Sequence, residues 1–213
     1  MHRRLTPRRA GCDCHIGHPF LSAARCRTLC HMPDFARHLP LSNRPRSNES
    51  GVTGDRRVAI ADAVDEAARV LASVIEEEAE FEARARRFLE EAGLGTGAAG
   101  GSPSELLQLA ETIRAGRRRN TRLLVHTVRA LLVLGDSVEV EPRVAAHVSG
   151  AVALAATGSA PFERRAVLRG HTVRAVDEGW SFGNGPVLEG RGREIVRFVL
   201  ALDDIPPLPI SSS

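Results

Sequence analysis

The spacing of apolar residues changes twice along this chain, and each change marks a new region. From Val58 to Ala92, residues Ile60, Val64, Ala67, Leu71, Val74, Phe81, Ala85 and Phe88 recur in steps of four and three, apart from one seven-residue gap that Glu78 splits. This predicts a helix with a heptad seam and a single charge in it. Gly93 and Gly95 supply its stop. Glu76, Glu77, Glu80 and Glu82 make the middle acidic, which predicts a solvated face. Glu78 is placed inward by the seam. A carboxylate buried alone is costly, so it calls for a cation or a metal, with Arg122 and His126 as candidates.

A second helix begins cleanly at Ser102-Pro103-Ser104-Glu105: serine cap, proline in the first turn, and glutamate to complete a capping box. The run Gly95 to Gly101 before it is a flexible loop, with neither the lysine nor the preceding strand of a phosphate-binding loop. Gly116 and Arg117-Arg118-Arg119 join this helix to the most apolar run of the chain, Asn120 to Gly135. As a helix, that run gathers Leu124, Val128, Leu131 and Leu132 on one side and aligns Arg122, His126, Arg129 and Val133 on another. A core helix therefore carries a basic stripe centred on one histidine. Arg122 and Arg129 are candidates for charge pairing with Glu78. Pro142 predicts the start of a further helix reaching about Thr157, with Gly158 as its stop and His147 as a core or boundary residue.

The last fifty residues change class. The segment Val167 to Val176 alternates as a strand does, Asp177-Glu178-Gly179 predicts a turn, and the segments WSFG and VLEG predict two more extended pieces around Asn184-Gly185-Pro186. Gly190 to Leu202 then predicts a helix with Arg191, Arg193 and Arg197 exposed, and the segment IPPLPISSS a non-helical tail. The expected fold class is α+β, mostly α: a helical bundle over 58–158, a small C-terminal β-hairpin/helix subdomain over 159–204, and a tail over 205–213.

Charge divides the chain in the same way. Residues 1–57 hold 11 arginines against Asp13, Asp34, Glu49 and Asp55, whereas the remainder holds 18 arginines against 22 acids. The leader shows no sustained period. It predicts a disordered basic segment, or translated sequence upstream of a true start at Met32 or Val52. Cys12, Cys14, Cys26 and Cys30 all lie there, beside His15, His18 and His31. They could ligate zinc, although their spacing fits none of the common zinc patterns. Lysine and tyrosine are absent, and the abundance of Ala, Arg, Gly and Val suggests a GC-rich bacterial coding sequence. Without a membrane span or a signal-peptide pattern, the expected location is the cytoplasm. Aromatic stacking residues are scarce, so nucleic acid is disfavoured as a partner. Other partners are unknown, and a homodimer is left open.

The segment GHTVRAVDEGWSFGNGPVLEG, followed by an apolar helix, resembles the C-terminal part of the mycothiol-dependent maleylpyruvate isomerase-like proteins of actinobacteria, within the DinB-like metal-binding superfamily. Upstream, the segment LLVH, with Gly135 nine residues after His126, is similar to that family's metal helix. The resemblance covers roughly residues 102–202. It implies a DinB-like bundle holding zinc through two histidines and an acid, with the cofactor mycothiol activated there as a thiolate. His126 then matches one metal histidine. His38, in Asp34-Phe35-Ala36-Arg37-His38-Leu39, is the candidate for the other. Where the family places acids around His126, this chain has Arg122 and Arg129, which cannot ligate a cation and would repel it.

Three functions follow. The favoured one is a degenerate maleylpyruvate isomerase-like protein with an incomplete metal site, binding a partner or acting as a regulator. The alternative is an active metal- and mycothiol-dependent transferase or isomerase, in which His126, His38 and an acid such as Glu78 converge. The last is a regulatory or nucleic-acid-binding helical protein acting through the leader and Arg117 to Arg119. No catalytic residue is assigned.

Overall fold

The seven-residue gap in the first apolar seam is a break between two helices. In the computed structural model, which describes residues 54–95 and 102–210, α1 runs Arg57–Ala72 and α2 runs Glu78–Ala92. Ile60, Val64, Ala67 and Leu71 are buried on α1, and Phe81, Ala85 and Phe88 on α2. Val74, which the seam places inward, is 46% exposed in the connection. The expected single helix is thus corrected to a helical hairpin. The glutamate run explains the break. A continuous helix would hold Glu76 and Glu80 as a like-charged i,i+4 pair at its middle. A new helix beginning at Glu78 instead places Glu78 and Glu80 at the positive end of a macrodipole.

The next two helices begin at side-chain caps, the first of them the expected Ser102. In α3, Pro103–Ala115, the Ser102 hydroxyl accepts the Glu105 N–H at 3.3 Å. In α4, Thr121–Ser137, the Asn120 side chain accepts the Leu123 N–H at 2.9 Å. Leu124, Val128, Leu131 and Leu132 are buried as expected. Helix α1 packs against α3, α4 and α2, and α2 packs against α4; the buried core starts among these four and continues into the C-terminal elements.

After α4 the chain folds back on itself. A Cβ on Gly135 would lie 2.6 Å from both the Val140 carbonyl oxygen and Pro142 Cδ, so only glycine admits this approach. Pro142 is buried there and Arg143 N–H donates to Glu66 at 2.6 Å. The proline therefore fixes an extended crossing and does not open a helix. Helix α5 starts later, Ala146–Ser159, and runs through Gly158.

Helix α6, Phe162–Leu168, takes up Val167 and Leu168 and shortens the first expected strand to β1, Thr172–Ala175. Next come β2, Ser181–Gly183, and β3, Val187–Gly190. Helix α7, Gly192–Val199, follows and packs on α5. The tail is not wholly irregular, because Leu208–Pro209 forms β4 against β3. The sheet order is β2-β1-β3-β4, with β1 parallel to β3 and the other pairs antiparallel. The fold is a mostly helical bundle followed by a small β-containing subdomain. Among the described residues no helix is long and apolar enough to cross a membrane.

Candidate functional site

Helix α4 turns its basic stripe away from the core. Arg122, His126 and Arg129 are all exposed, while Leu124, Val128 and Leu131 on the other side are fully buried. Glu78 is exposed as well, at the first turn of α2. Its expected inward position is corrected: the helix break releases it from the seam. Among the described residues, neither Glu78 nor Arg122 nor Arg129 makes an ion pair. His38 and the four cysteines lie outside the described residues. Among the described residues no group of three His, Cys, Asp or Glu side chains is arranged to hold a metal. Around His126 the donor chemistry does not fit zinc, since the nearest residues on its face are guanidinium groups.

A cleft of about 490 Å³ lies elsewhere, where the 141–144 crossing, α5, α7 and the β1–β2 turn meet. Its charged lining is Glu141, Arg143, Asp177, Glu178 and Arg193. The turn residues are fixed by their neighbours. Asp177 accepts the Gly192 N–H at 2.7 Å, capping the first turn of α7. The Glu178 carboxylate accepts the Trp180 indole N–H at 2.6 Å and the Ser149 hydroxyl from α5. Ser149 is 2% exposed. Its oxygen also lies 3.0 Å from the indole nitrogen, so the three side chains form one closed set.

Two glycines make room for that set. A Cβ on Gly150 would meet the Trp180 ring at 2.9 Å, and one on Gly192 would meet the Glu178 carboxyl carbon at 2.3 Å. Trp180 also stacks on Phe182, with ring centroids 5.9 Å apart. On the rim, Arg193 pairs with Glu141. Arg143 is exposed and makes no ion pair among the described residues.

A second set of ion pairs holds this subdomain to the bundle. Arg197, expected on the surface, has a side chain only 13% exposed and grips Asp136 at 2.9 and 3.0 Å. It also pairs with Asp203 beyond α7. The hydrogen bonds from Asp203 and then Asp136 push the Arg197 guanidinium pKa further up, and Arg197 holds the Asp203 carboxyl below its ordinary value. Burial alone would raise the Glu66 carboxyl, but the Arg69 guanidinium and the Arg143 N–H outweigh it and lower the pKa.

The cleft has the volume to hold a small molecule. Ser149 has no imidazole partner, and Glu178 is occupied as an acceptor. Of the charged lining, Asp177 and Glu178 are held by hydrogen bonds from Gly192, Ser149 and Trp180, whereas Arg143 makes no ion pair among the described residues. The sequence reading marked Asp177 and Glu178 only as a turn, and it passed over Ser149. The available signal was the sole tryptophan, whose buried N–H needs an acceptor. Compared with known proteins, the chain matches no protein family, no curated protein and no solved structure.

Proposed function

We propose that this chain is a maleylpyruvate isomerase-like bundle protein that has given up the metal- and mycothiol-dependent chemistry of that group and works by binding. One observation carries the reading. His126, the position that the resemblance assigns to a metal ligand, stands on an exposed helix face between Arg122 and Arg129. A divalent ion there would meet two fixed positive charges and no oxygen donor from its own helix. The binding site on this reading is the cleft beside Glu178, where Arg143 is the charged lining residue that makes no ion pair among the described residues.

Zinc analysis of the dialysed full chain beside its His126→Ala variant tests this. The expected result is an identical zinc content in the two, with melting temperatures within about 2 °C, as for an exposed side chain outside any network. Stoichiometric zinc that is lost with His126 would overturn the reading and restore an active metal-dependent enzyme. The comparison with the variant matters because any zinc held by the leader cysteines would remain in both proteins.

A further inference from the structure

The ends of α1 and α4 meet, and they bring together arginines that lie far apart in sequence. Arg56 N–H donates to the Arg119 carbonyl at 2.9 Å, and the Arg56 side chain reaches the Thr121 hydroxyl at 3.4 Å. The Arg57 guanidinium donates to the Gly116 carbonyl at 2.8 Å. These contacts seat Arg56 and Arg57 against the run Arg117, Arg118 and Arg119, with Arg122 one turn into α4. Both helices present their N-terminal ends here, and neither has an acid in its first turn. The local counter-charge is Asp55, which pairs with the Arg57 guanidinium at 3.0 Å and accepts the backbone N–H groups of Arg57 and Arg119 at 3.1 and 3.3 Å.

Along α1 to α3 the arginines are neutralised. Arg114 is held by Asp62, Asp65 and Glu111, while Arg84, Arg86 and Arg87 each have a glutamate one turn away. Among the described residues, Arg117, Arg118, Arg119 and Arg122 make no ion pair, and all four are exposed. Arg129 continues the line two turns along α4, about 10 Å further.

The geometry points to a binding surface for the phosphodiester backbone of duplex nucleic acid, without base readout. A single small anion would not use a charged line of this length. Single strands are held by stacking on aromatic rings, and among the described residues the exposed aromatic, Phe162, is on α6. Backbone binding to a duplex needs only guanidinium groups and helix N-termini facing the phosphates. A lipid surface would call for apolar side chains to insert. Of the exposed large hydrophobics among the described residues, Val58 alone adjoins the patch in sequence.

The test is fluorescence anisotropy of the full chain with two unrelated DNA duplexes of about 24 base pairs over about 50 to 200 mM salt. Equal binding to both is expected, with log K falling against log salt at a slope of about −4, as for four to five neutralised phosphates. The triple variant R117Q/R118Q/R119Q should bind at least about tenfold more weakly at low salt, with a slope shallower by about 2 to 3. R122Q/R129Q should show a smaller loss in the same direction, and it serves if the triple variant does not fold. Failure of the unchanged chain to bind at low salt would overturn the proposal. So would an unchanged slope in both variants, which would move the charge to the segment before Gly54. Tighter binding to phosphatidylserine vesicles than to either duplex would also overturn it.

Discussion

At the cleft, Glu178 is held by Ser149 and Trp180, Asp177 by the Gly192 N–H, and Glu141 by Arg193. At the N-terminal ends of α1 and α4, Arg117, Arg118, Arg119 and Arg122 stand in solvent and make no ion pair among the described residues. Both regions are made of charges on short connections, but the charges do different work. In the first they close on one another and position the subdomain. In the second their electrostatic field is left to act outward. Charged side chains that are mutually satisfied should matter for stability, and those that are not should matter for association.

The largest effect should come from the backbone on which the cleft wall rests. Gly135→Val places methyl groups where the Val140 carbonyl and Pro142 already lie within 2.6 Å of a Cβ. The 138–142 connection would have to lift from α4, at a cost of about 3 kcal/mol or more, from overpacking and lost burial. Urea unfolding measures it. A loss below about 1 kcal/mol would mean that the crossing is not held where it is described.

Next comes Arg197→Met, which keeps the stem but frees Asp136 and Asp203. These carboxylates are 44% and 42% exposed, so solvent absorbs part of the penalty. The expected loss is about 2 kcal/mol, below the range for a fully buried pair. Because Arg197 depresses the Asp203 pKa, the stabilisation is present above the ordinary carboxylate value near 4 and is lost as pH falls through the lower folded value. The gap between the two proteins should therefore be full at neutral pH and close in acid. A gap independent of pH would indicate lost packing and not lost charge.

Glu178→Ala should cost about 1 kcal/mol, because two hydrogen bonds to the carboxylate are lost, while the Ser149 hydroxyl keeps the Ala146 carbonyl at 2.9 Å and the Trp180 N–H keeps the Ser149 oxygen at 3.0 Å. Glu178→Gln should recover most of this, since an amide oxygen still accepts both. Tryptophan emission reports on the same contact and should shift to the red in the alanine variant alone. Equal losses in the two variants would mean that the negative charge matters beyond its hydrogen bonds, which would favour a cationic ligand group at this carboxylate.

Much of the bundle was legible from the sequence because local signals decide it. Ser102 and Asn120 cap their helices through hydrogen bonds three residues long, and the apolar face of α4 follows from its period. The errors lie where a distant contact competes with a local signal. Pro142 is an ordinary helix opener, but its burial against Gly135 gives it another role. Arg197 belongs to an arginine-rich helix that looks solvated until Asp136, 61 residues away, meets it. The proposed surface was half visible: Arg117 to Arg119 are adjacent in sequence, but nothing in the local pattern brings Arg56 and Arg57 beside them. Glu78 was misplaced for a different reason. Its seam position holds only if the helix is continuous, and the charge run that made it conspicuous is also what breaks the helix.

The smallest effect on stability should come from the charges most important to the proposed association. In R117Q/R118Q/R119Q the three side chains leave no ion pair behind among the described residues, and the backbone contacts from Arg56 and Arg57 to this connection use carbonyl groups that glutamine retains. The stability change should stay within about 0.5 kcal/mol. Its sign should be favourable at low salt, because removing like charges beside two helix N-termini relieves repulsion. It should vanish at about 1 M salt, where screening extends over only about 3 Å. A loss of more than about 1 kcal/mol would instead mean that these arginines are structural. The distinction between the two regions would then fail at the residues chosen to represent it.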